Sequence, residues 1–124
     1  MGTLDVGSGS GILAIIAKKL GANYVAGCDI DEVAVRTEKE NAERNSCDID
    51  FYRSDILKNV KLKDGKKFDI VTANIVADVI IRMSCDIGKY VRSGGILIVS
   101  GIIDEREDEV DGAICSVGFD KVCS

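Results

Sequence analysis

Histidine, proline and long apolar runs are all missing from this sequence of 124 residues. Without histidine, the chain lacks the most common metal ligand and the most common general base, so a zinc site or a hydrolase triad is disfavoured. We therefore predict no metal site. No proline interrupts a predicted helix or strand. No run approaches the roughly 18 apolar residues of a membrane-spanning helix, so we also expect no membrane partner.

Cysteine pairs with metal-ligand spacing are missing too. The five cysteines are scattered, and none forms a C-x-x-C pair. An odd number of unpaired cysteines is typical of reduced thiols in a cytosolic protein. The chain runs from Met1 directly into a strand pattern at Thr3, which leaves no room for a signal peptide. Both features predict a cytoplasmic protein.

Acidic residues outnumber basic residues by 21 to 16, and the net charge is −5. Broad binding to nucleic-acid phosphates needs a basic surface, so we expect no direct nucleic-acid partner. A basic protein is compatible with this charge. Five lysines cluster within residues 58–67 around Asp64-Gly65, a pattern that is typical of a solvated loop.

The apolar residues that are present alternate between strand and helix patterns, and the length fits a single domain over residues 1–124. Strands are predicted at 3–6, 24–28, 49–53, 68–73, 96–100 and 119–123. Helices are predicted at 11–20, 32–44, 76–91 and 104–117. This alternation predicts an α/β fold, a Rossmann-like, doubly wound and mostly parallel sheet with helices on both faces. The nearly continuous apolar run at 96–100 predicts a strand that is covered on both faces.

Polar residues and glycines mark the expected ends of these elements. Gly21 suits a left-handed residue after the first helix, and Asp31 is a good N-cap for the second. Asp104 and Glu107 have the spacing of a capping box, which predicts the start of the last helix. The segment 93–95 predicts a turn into the fifth strand.

A glycine-rich turn follows the first strand, in the segment Asp5-Val6-Gly7-Ser8-Gly9-Ser10-Gly11. Its glycines let the backbone turn sharply and approach a ligand, at which the first amides of the next helix point. A dinucleotide fingerprint, G-x-G-x-x-G, would need a third glycine where Ile12 stands. The spacing G-x-G-x-G after an acidic residue resembles the first motif of S-adenosylmethionine-dependent methyltransferases. An NAD(P)-binding domain is the weaker alternative.

Polar residues from other loops are predicted to lie beside this turn, because parallel strands end at one edge of the sheet. Asp29 ends the second strand, and its carboxylate can accept hydrogen bonds from both ribose hydroxyls of an adenosine cofactor or can cap the next helix. Asp55 can reach an adenine amino group or cap the segment after it. Asn74 can accept a bond from an incoming amine and orient its lone pair, or serve as a turn residue.

Several segments together resemble one methyltransferase family. They are residues 4–14, 27–31, 41–45, 73–78 and 94–102. The segments Asn74-Ile75-Val76-Ala77 and Ser100-Gly101-Ile102 are the most specific of these. The family is that of the bacterial ribosomal-protein methyltransferases that modify protein eleven of the large subunit, and the resemblance covers essentially the whole chain.

The resemblance implies S-adenosylmethionine as the cofactor and a protein substrate, expected to be a ribosomal protein, that is methylated on a lysine or N-terminal amine. It implies Asn74 as the catalytic residue that faces the amine. With the glycine motif, it indicates a set of cofactor-binding residues: Asp5, Gly7, Ser8, Gly9, Gly11, Asp29, Ile30, Asp55 and Asn74. The family's recognition domain and its last strand have no counterpart here, so we expect a catalytic core truncated at both ends. The alternative is a non-catalytic, cofactor-binding fragment.

Overall fold

The structure is a computed structural model that describes residues 2–7, 9, 11–54, 57, 60, 62, 65–100 and 104–119. Its strands are β1 (Gly2–Val6), β2 (Tyr24–Asp29), β3 (Asp50–Arg53), β4 (Phe68–Asn74) and β5 (Val91–Ser100). Its helices are α1 (Ile12–Lys19), α2 (Glu32–Arg44), α3 (Ala77–Ile87) and α4 (Glu107–Cys115). Within these residues, no helix is long and apolar enough to cross a membrane.

The strands form one sheet of order β3-β2-β1-β4-β5, and every neighbouring pair is parallel. The chain therefore returns to the far side of β1 between β3 and β4, which places a topological switch point between β1 and β4. In such sheets, ligands bind outside the carboxyl ends of the strands at this point. The predicted parallel α/β fold is confirmed.

One face of the sheet packs against α3 and α4. Ile80, Met83 and Ile87 are fully buried there, as their three-and-four spacing predicts. The predicted helix was too long at both ends, since Val76 is the exposed N-cap of α3 and Val91 begins β5.

The opposite face packs against α1 and α2, which cover β1, β2 and β3. Here the expectation that both faces of the fifth strand are covered is wrong for the described residues. Leu97 and Val99 pack against the α3 side, whereas Ile96 and Ile98 alternate to the other face and stay 55% and 50% exposed. α1 and α2 lie over the other half of the sheet and do not reach them.

The ends of the first two helices agree with their sequence signals. The Asp31 side chain caps α2 by accepting a hydrogen bond from the Val33 N–H at 2.9 Å. Gly21 follows α1 with a φ of 105°.

The last helix begins later than its predicted start at residue 104, and the Asp104 side chain, on which the predicted capping box depends, lies outside what the structure describes. A 3-10 turn (Asp104–Arg106) precedes α4, whose N-cap is Arg106 and has no side-chain capping bond within the described chain. The Arg106 guanidinium instead donates to Asp78 on α3 and to Glu109 on α4, both at 2.7 Å. This bridge holds the start of α4 against α3. The predicted sixth strand lies, apart from Phe119, outside the described residues, as do Lys58, Lys61 and Lys63 of the lysine cluster.

The predicted turn at 93–95 is an irregular stretch inside β5. Between paired positions, β4 advances two residues, from Phe68 to Ile70, while β5 advances five, from Val91 to Ile96. Gly95 comes so close to β4 that an added Cβ would lie 2.9 Å from the Asp69 carbonyl oxygen. The backbone itself therefore requires glycine there.

We predict that Gly95→Ala lowers the free energy of unfolding by roughly 1–3 kcal/mol, because the added methyl group overpacks the bulge. Gly112→Ala is the matched control: in α4, no described atom lies within 4 Å of its added Cβ. It should raise the free energy of unfolding by up to about 1 kcal/mol through helix propensity. Urea denaturation measures both variants. A Gly95→Ala variant as stable as the unchanged chain would contradict the close approach of β5 to β4.

Candidate functional site

The glycine-rich turn leaves β1 through a narrow gap. The Gly7 N–H donates to the Cys28 carbonyl at 2.8 Å, and Gly7 has a φ of 72°. An added Cβ at Gly7 would lie 2.4 Å from Cγ2 of Ile75, which follows β4. Gly7 is therefore required by the protein's own packing between the ends of β2 and β4.

The other two glycines of the motif have different surroundings. An added Cβ at Gly11 would lie 3.3 Å from Glu38 and from Phe51, so Gly11 lets α1 pack close to α2 and β3. At Gly9, no described atom lies within 4 Å of that position, and the residue is exposed. Of the three, Gly9 is the one with open space for a ligand. Ser8, the fourth predicted residue of the turn, lies outside the described residues.

Asp29 faces the turn, as predicted. Its Oδ2 accepts a hydrogen bond from the Gly9 N–H at 3.1 Å, and its Oδ1 accepts one from the Asp31 N–H at 3.0 Å. Asp31, not Asp29, caps α2. The carboxylate of Asp29 thus joins the open part of the glycine turn to the start of α2 and is only half-buried.

A second carboxylate, that of Asp5, lies beneath the turn. Asp5 is 2% exposed, and its Oδ1 accepts a hydrogen bond from the Thr72 hydroxyl at 2.7 Å. Its Oδ2 is buried and has no hydrogen-bond partner among the residues that the structure describes. Burial raises the pKa of Asp5 to about 6 against the opposing Thr72 bond, and the charge of Asp29 adds to the increase. The site therefore holds two carboxyl groups close enough to repel each other.

Sequence reasoning missed Glu38, which is fully buried on α2 next to Gly11. A signal was available, because Glu38 stands between Val35 and Ala42 in the buried stripe of α2. An acidic residue in an apolar stripe is rare without a specific role. Cys28 is buried as well, and burial raises the pKa of its thiol to about 12, so it is not a nucleophile near neutral pH.

The remaining predicted residues line the same edge of the sheet. Ile30, just after β2, is 62% exposed, and Asn74 is exposed at the end of β4. The Asn74 carbonyl oxygen lies 3.5 Å from the position of an added Cβ at Gly7, so β4 ends directly beside the turn. Asp55 lies outside the described residues. The described residues form no cluster of three or more Cys, Asp or Glu that could hold a metal ion.

A parallel sheet of this order, with a glycine turn after β1 and an acidic residue at the end of β2, is shared by Rossmann-like methyltransferases and dinucleotide-binding domains. Residues 2–123 match the family model described as ribosomal protein L11 methyltransferase (PrmA). The chain belongs to this family, which confirms the family and the class that the sequence motifs predicted.

Individual relatives agree with this assignment. The ribosomal protein L11 methyltransferase of Dictyoglomus turgidum is 41% identical over 119 residues, which are 96% of this chain and 38% of that protein. The crystal structure of ribosomal protein L11 methylase from Lactobacillus delbrueckii subsp. bulgaricus has a TM-score of 0.88 and 33% identity, over 96% of this chain and 60% of that one. This chain thus spans well under half of the curated relative.

A more distant structure shares the architecture. It is the 16S rRNA N2 G1207 methyltransferase of T. thermophilus, solved in complex with AdoMet and guanosine. Its TM-score is 0.69 with 25% identity, over 79% of this chain and 28% of that one.

We predict that Asp5→Asn stabilises the fold at neutral pH by about 3 kcal/mol, since raising a pKa from 3.8 to about 6 corresponds to about that free energy. The pKa of Asp5 in the folded state, about 6, lies above the ordinary value of 3.8. A buried, protonated Asp5 therefore favours folding at low pH, and this contribution is lost as the pH rises through about 6. The advantage of the variant should accordingly be small at pH 4 and largest above pH 7.

Denaturant titrations at several pH values measure this difference. Asp48→Asn serves as the control, because Asp48 is exposed before β3 and loses the same charge. A variant at position 5 that is less stable than the unchanged chain at pH 8 would contradict the cost assigned to the buried carboxylate.

Proposed function

We propose that this chain is the cofactor-binding, methyl-transferring core of an S-adenosylmethionine-dependent methyltransferase that acts on an amine nitrogen of a ribosomal protein. The observation that carries the proposal is the pair of carboxyl groups, Asp5 and Asp29, beside the open Gly9 at the switch point of the sheet. Membership of the L11 methyltransferase family supports the same cofactor.

Charge supports this cofactor over a dinucleotide. S-adenosylmethionine carries a sulfonium, an ammonium and a carboxylate group and is positive overall, whereas NAD(P) would bring an anionic pyrophosphate to the turn. The carboxylates of Asp5 and Asp29 already repel each other there. A cationic ligand relieves that repulsion and an anionic one adds to it.

The residues at the edge fit the parts of the cofactor. Asp29 would accept hydrogen bonds from the ribose hydroxyls, with the Gly9 N–H released or shared, and the exposed side chain of Ile30 would cover the adenine ring. Asp5 would lie below the amino-acid portion, and the open backbone at Gly9 would allow close approach. Ser8 and Asp55 remain predicted contacts.

When bound, the cofactor supplies an activated methyl group on sulfur. The chain's own contribution is to orient the amine and to exclude water. Asn74 is exposed at the end of β4, where its side-chain oxygen would accept an amine N–H and direct the nitrogen lone pair. A lysine amine, with a pKa of about 10.4, must first lose its proton. Since the chain has no histidine, we assign that proton to solvent.

Ribosomal protein L11 is the substrate we propose, because the relatives that cover this chain are named for it. The net charge of −5 suits a basic protein better than RNA. The T. thermophilus relative is named for ribosomal RNA, so RNA is the substrate that an assay must compare.

Calorimetry with S-adenosylhomocysteine tests the cofactor site. Asp29→Ala should weaken binding by roughly 10- to 100-fold, as expected for a lost hydrogen bond to a charged group. Asp48→Ala removes the same charge from an exposed loop and should leave the affinity unchanged. NAD should not bind. A folded, unchanged chain that binds NAD but not S-adenosylhomocysteine at millimolar concentration would overturn the proposal.

Transfer of labelled methyl groups tests the role of Asn74. With L11 as substrate, Asn74→Ala should lower the rate by about 100-fold through loss of alignment, with a smaller effect on S-adenosylhomocysteine binding. Asn23→Ala is the matched control, since Asn23 is exposed just before β2, at the opposite end of the sheet. Methylation of 16S rRNA in place of L11 would contradict the proposed substrate. Cofactor binding without any transfer would identify a non-catalytic fragment.

A further inference from the structure

We propose that Thr72 is a positioning residue: its hydroxyl fixes the Asp5 carboxyl group so that the second oxygen, Oδ2, receives the ammonium group of the cofactor's amino-acid portion. This role rests on the proposed function and assigns a task to a residue that no motif singles out. Thr72 lies on β4 directly opposite Asp5 on β1, and its Oγ1 donates to Asp5 Oδ1 at 2.7 Å.

The geometry at Asp5 calls for a further donor. A hydroxyl has a single proton to donate, so Thr72 satisfies one carboxyl oxygen and cannot satisfy the other. The other oxygen, Oδ2, is buried without a partner among the described residues. An unmatched buried acceptor costs about 1–3 kcal/mol, and a charged one costs more. Asp5 stands two residues before Gly7, so such an atom is suited to a ligand that enters the glycine turn and brings the missing proton donor.

The class of donor follows from the neighbouring charge. Asp29 lies close enough to raise the pKa of Asp5, so the site carries more negative charge than its own groups compensate. A neutral hydroxyl would satisfy Oδ2 but leave the repulsion in place. A primary ammonium group supplies N–H donors as well as a positive charge. Hydrogen bonds between charged groups are also roughly twice as strong as neutral ones.

Threonine suits this role better than other residues of similar size. Branching at Cβ restricts χ1, so the hydroxyl is held toward β1 with little loss of entropy. Valine has the same shape without the hydroxyl. In Thr72→Val, the Asp5 carboxyl group would lose its fixed orientation and a bond that lowers its pKa, so that more of it would be protonated near neutral pH.

Among the residues that the structure describes, few other titratable groups surround Asp5. β2 contributes Asp29 and the buried thiol of Cys28, and Glu38 on α2 acts on Cys28. The lysines of α1 lie in its last turn, at the far end from the glycine-rich turn. Asp69 lies near the start of β4, where it pairs with Arg92. Protonation of Asp5 is therefore the event that would dominate a pH profile of ligand binding near pH 6.

Two ligands separate a positioning role from a merely structural one. S-adenosylhomocysteine carries the amino-acid portion, whereas 5′-methylthioadenosine has the same adenosine without it. Thr72→Val should weaken the binding of S-adenosylhomocysteine by roughly tenfold, because that ligand loses a charged hydrogen bond. The affinity for 5′-methylthioadenosine should stay within about twofold of that of the unchanged chain. Thr72→Ser retains the hydroxyl and should recover most of the lost affinity. The pH midpoint of S-adenosylhomocysteine binding should rise in Thr72→Val.

The unchanged chain provides a measurement that needs no variant. Its affinity for S-adenosylhomocysteine should fall as the pH drops through about 6, while its affinity for 5′-methylthioadenosine should not. Equal losses of affinity for both ligands in Thr72→Val, or parallel pH profiles for both ligands in the unchanged chain, would overturn the role of Thr72. Neither result would overturn the proposed function. Failure of the unchanged chain to bind either ligand would overturn the proposed function and the role of Thr72 with it.

Discussion

The passage of the backbone between the ends of β2 and β4 at Gly7 is the constraint on which the site depends. The Gly7 N–H is held by the Cys28 carbonyl at 2.8 Å, and Ile75 fills the space where any side chain would lie. From this point, which is fixed on both sides, the chain leaves the sheet toward the end of β2. That direction brings Gly9 within hydrogen-bond distance of Asp29. The open part of the turn and the acidic residue of β2 are therefore placed by the same packing.

Several carboxyl groups lie around this passage of the backbone, and their burial lowers the stability of the fold. Asp5 and Glu38 are both buried beneath the turn, and Asp29 stands at its edge. Apolar residues at such positions would be expected to stabilise a core, since desolvating a carboxyl group is unfavourable. Unfavourable burial of charged groups is found at binding sites, where a ligand of opposite charge compensates for it. Under the proposed function, a cationic ligand would offset the unfavourable burial of these carboxyl groups.

Local patterns predicted most of the fold, because they depend on neighbours in sequence. The buried stripe of Ile80, Met83 and Ile87, the Asp31 cap and the glycine turn are examples. Features set by distant partners were not predictable in this way. The bulge in β5 depends on its register with β4, and the start of α4 depends on the bridge from Arg106 to Asp78 on α3. The bond from Thr72 to Asp5 spans 67 positions in sequence, and a threonine inside a strand carries no signal of it.

The third glycine of the turn serves packing, as the third glycine of a dinucleotide fingerprint also does. Gly11, the glycine that stands one position earlier than a dinucleotide fingerprint requires, is surrounded by Glu38 and Phe51. In this chain the third glycine therefore allows α1 to pack closely against α2 and β3. Under the proposed function, selection between a cationic and an anionic ligand would then fall to Asp5 and Asp29, whose carboxylates repel each other.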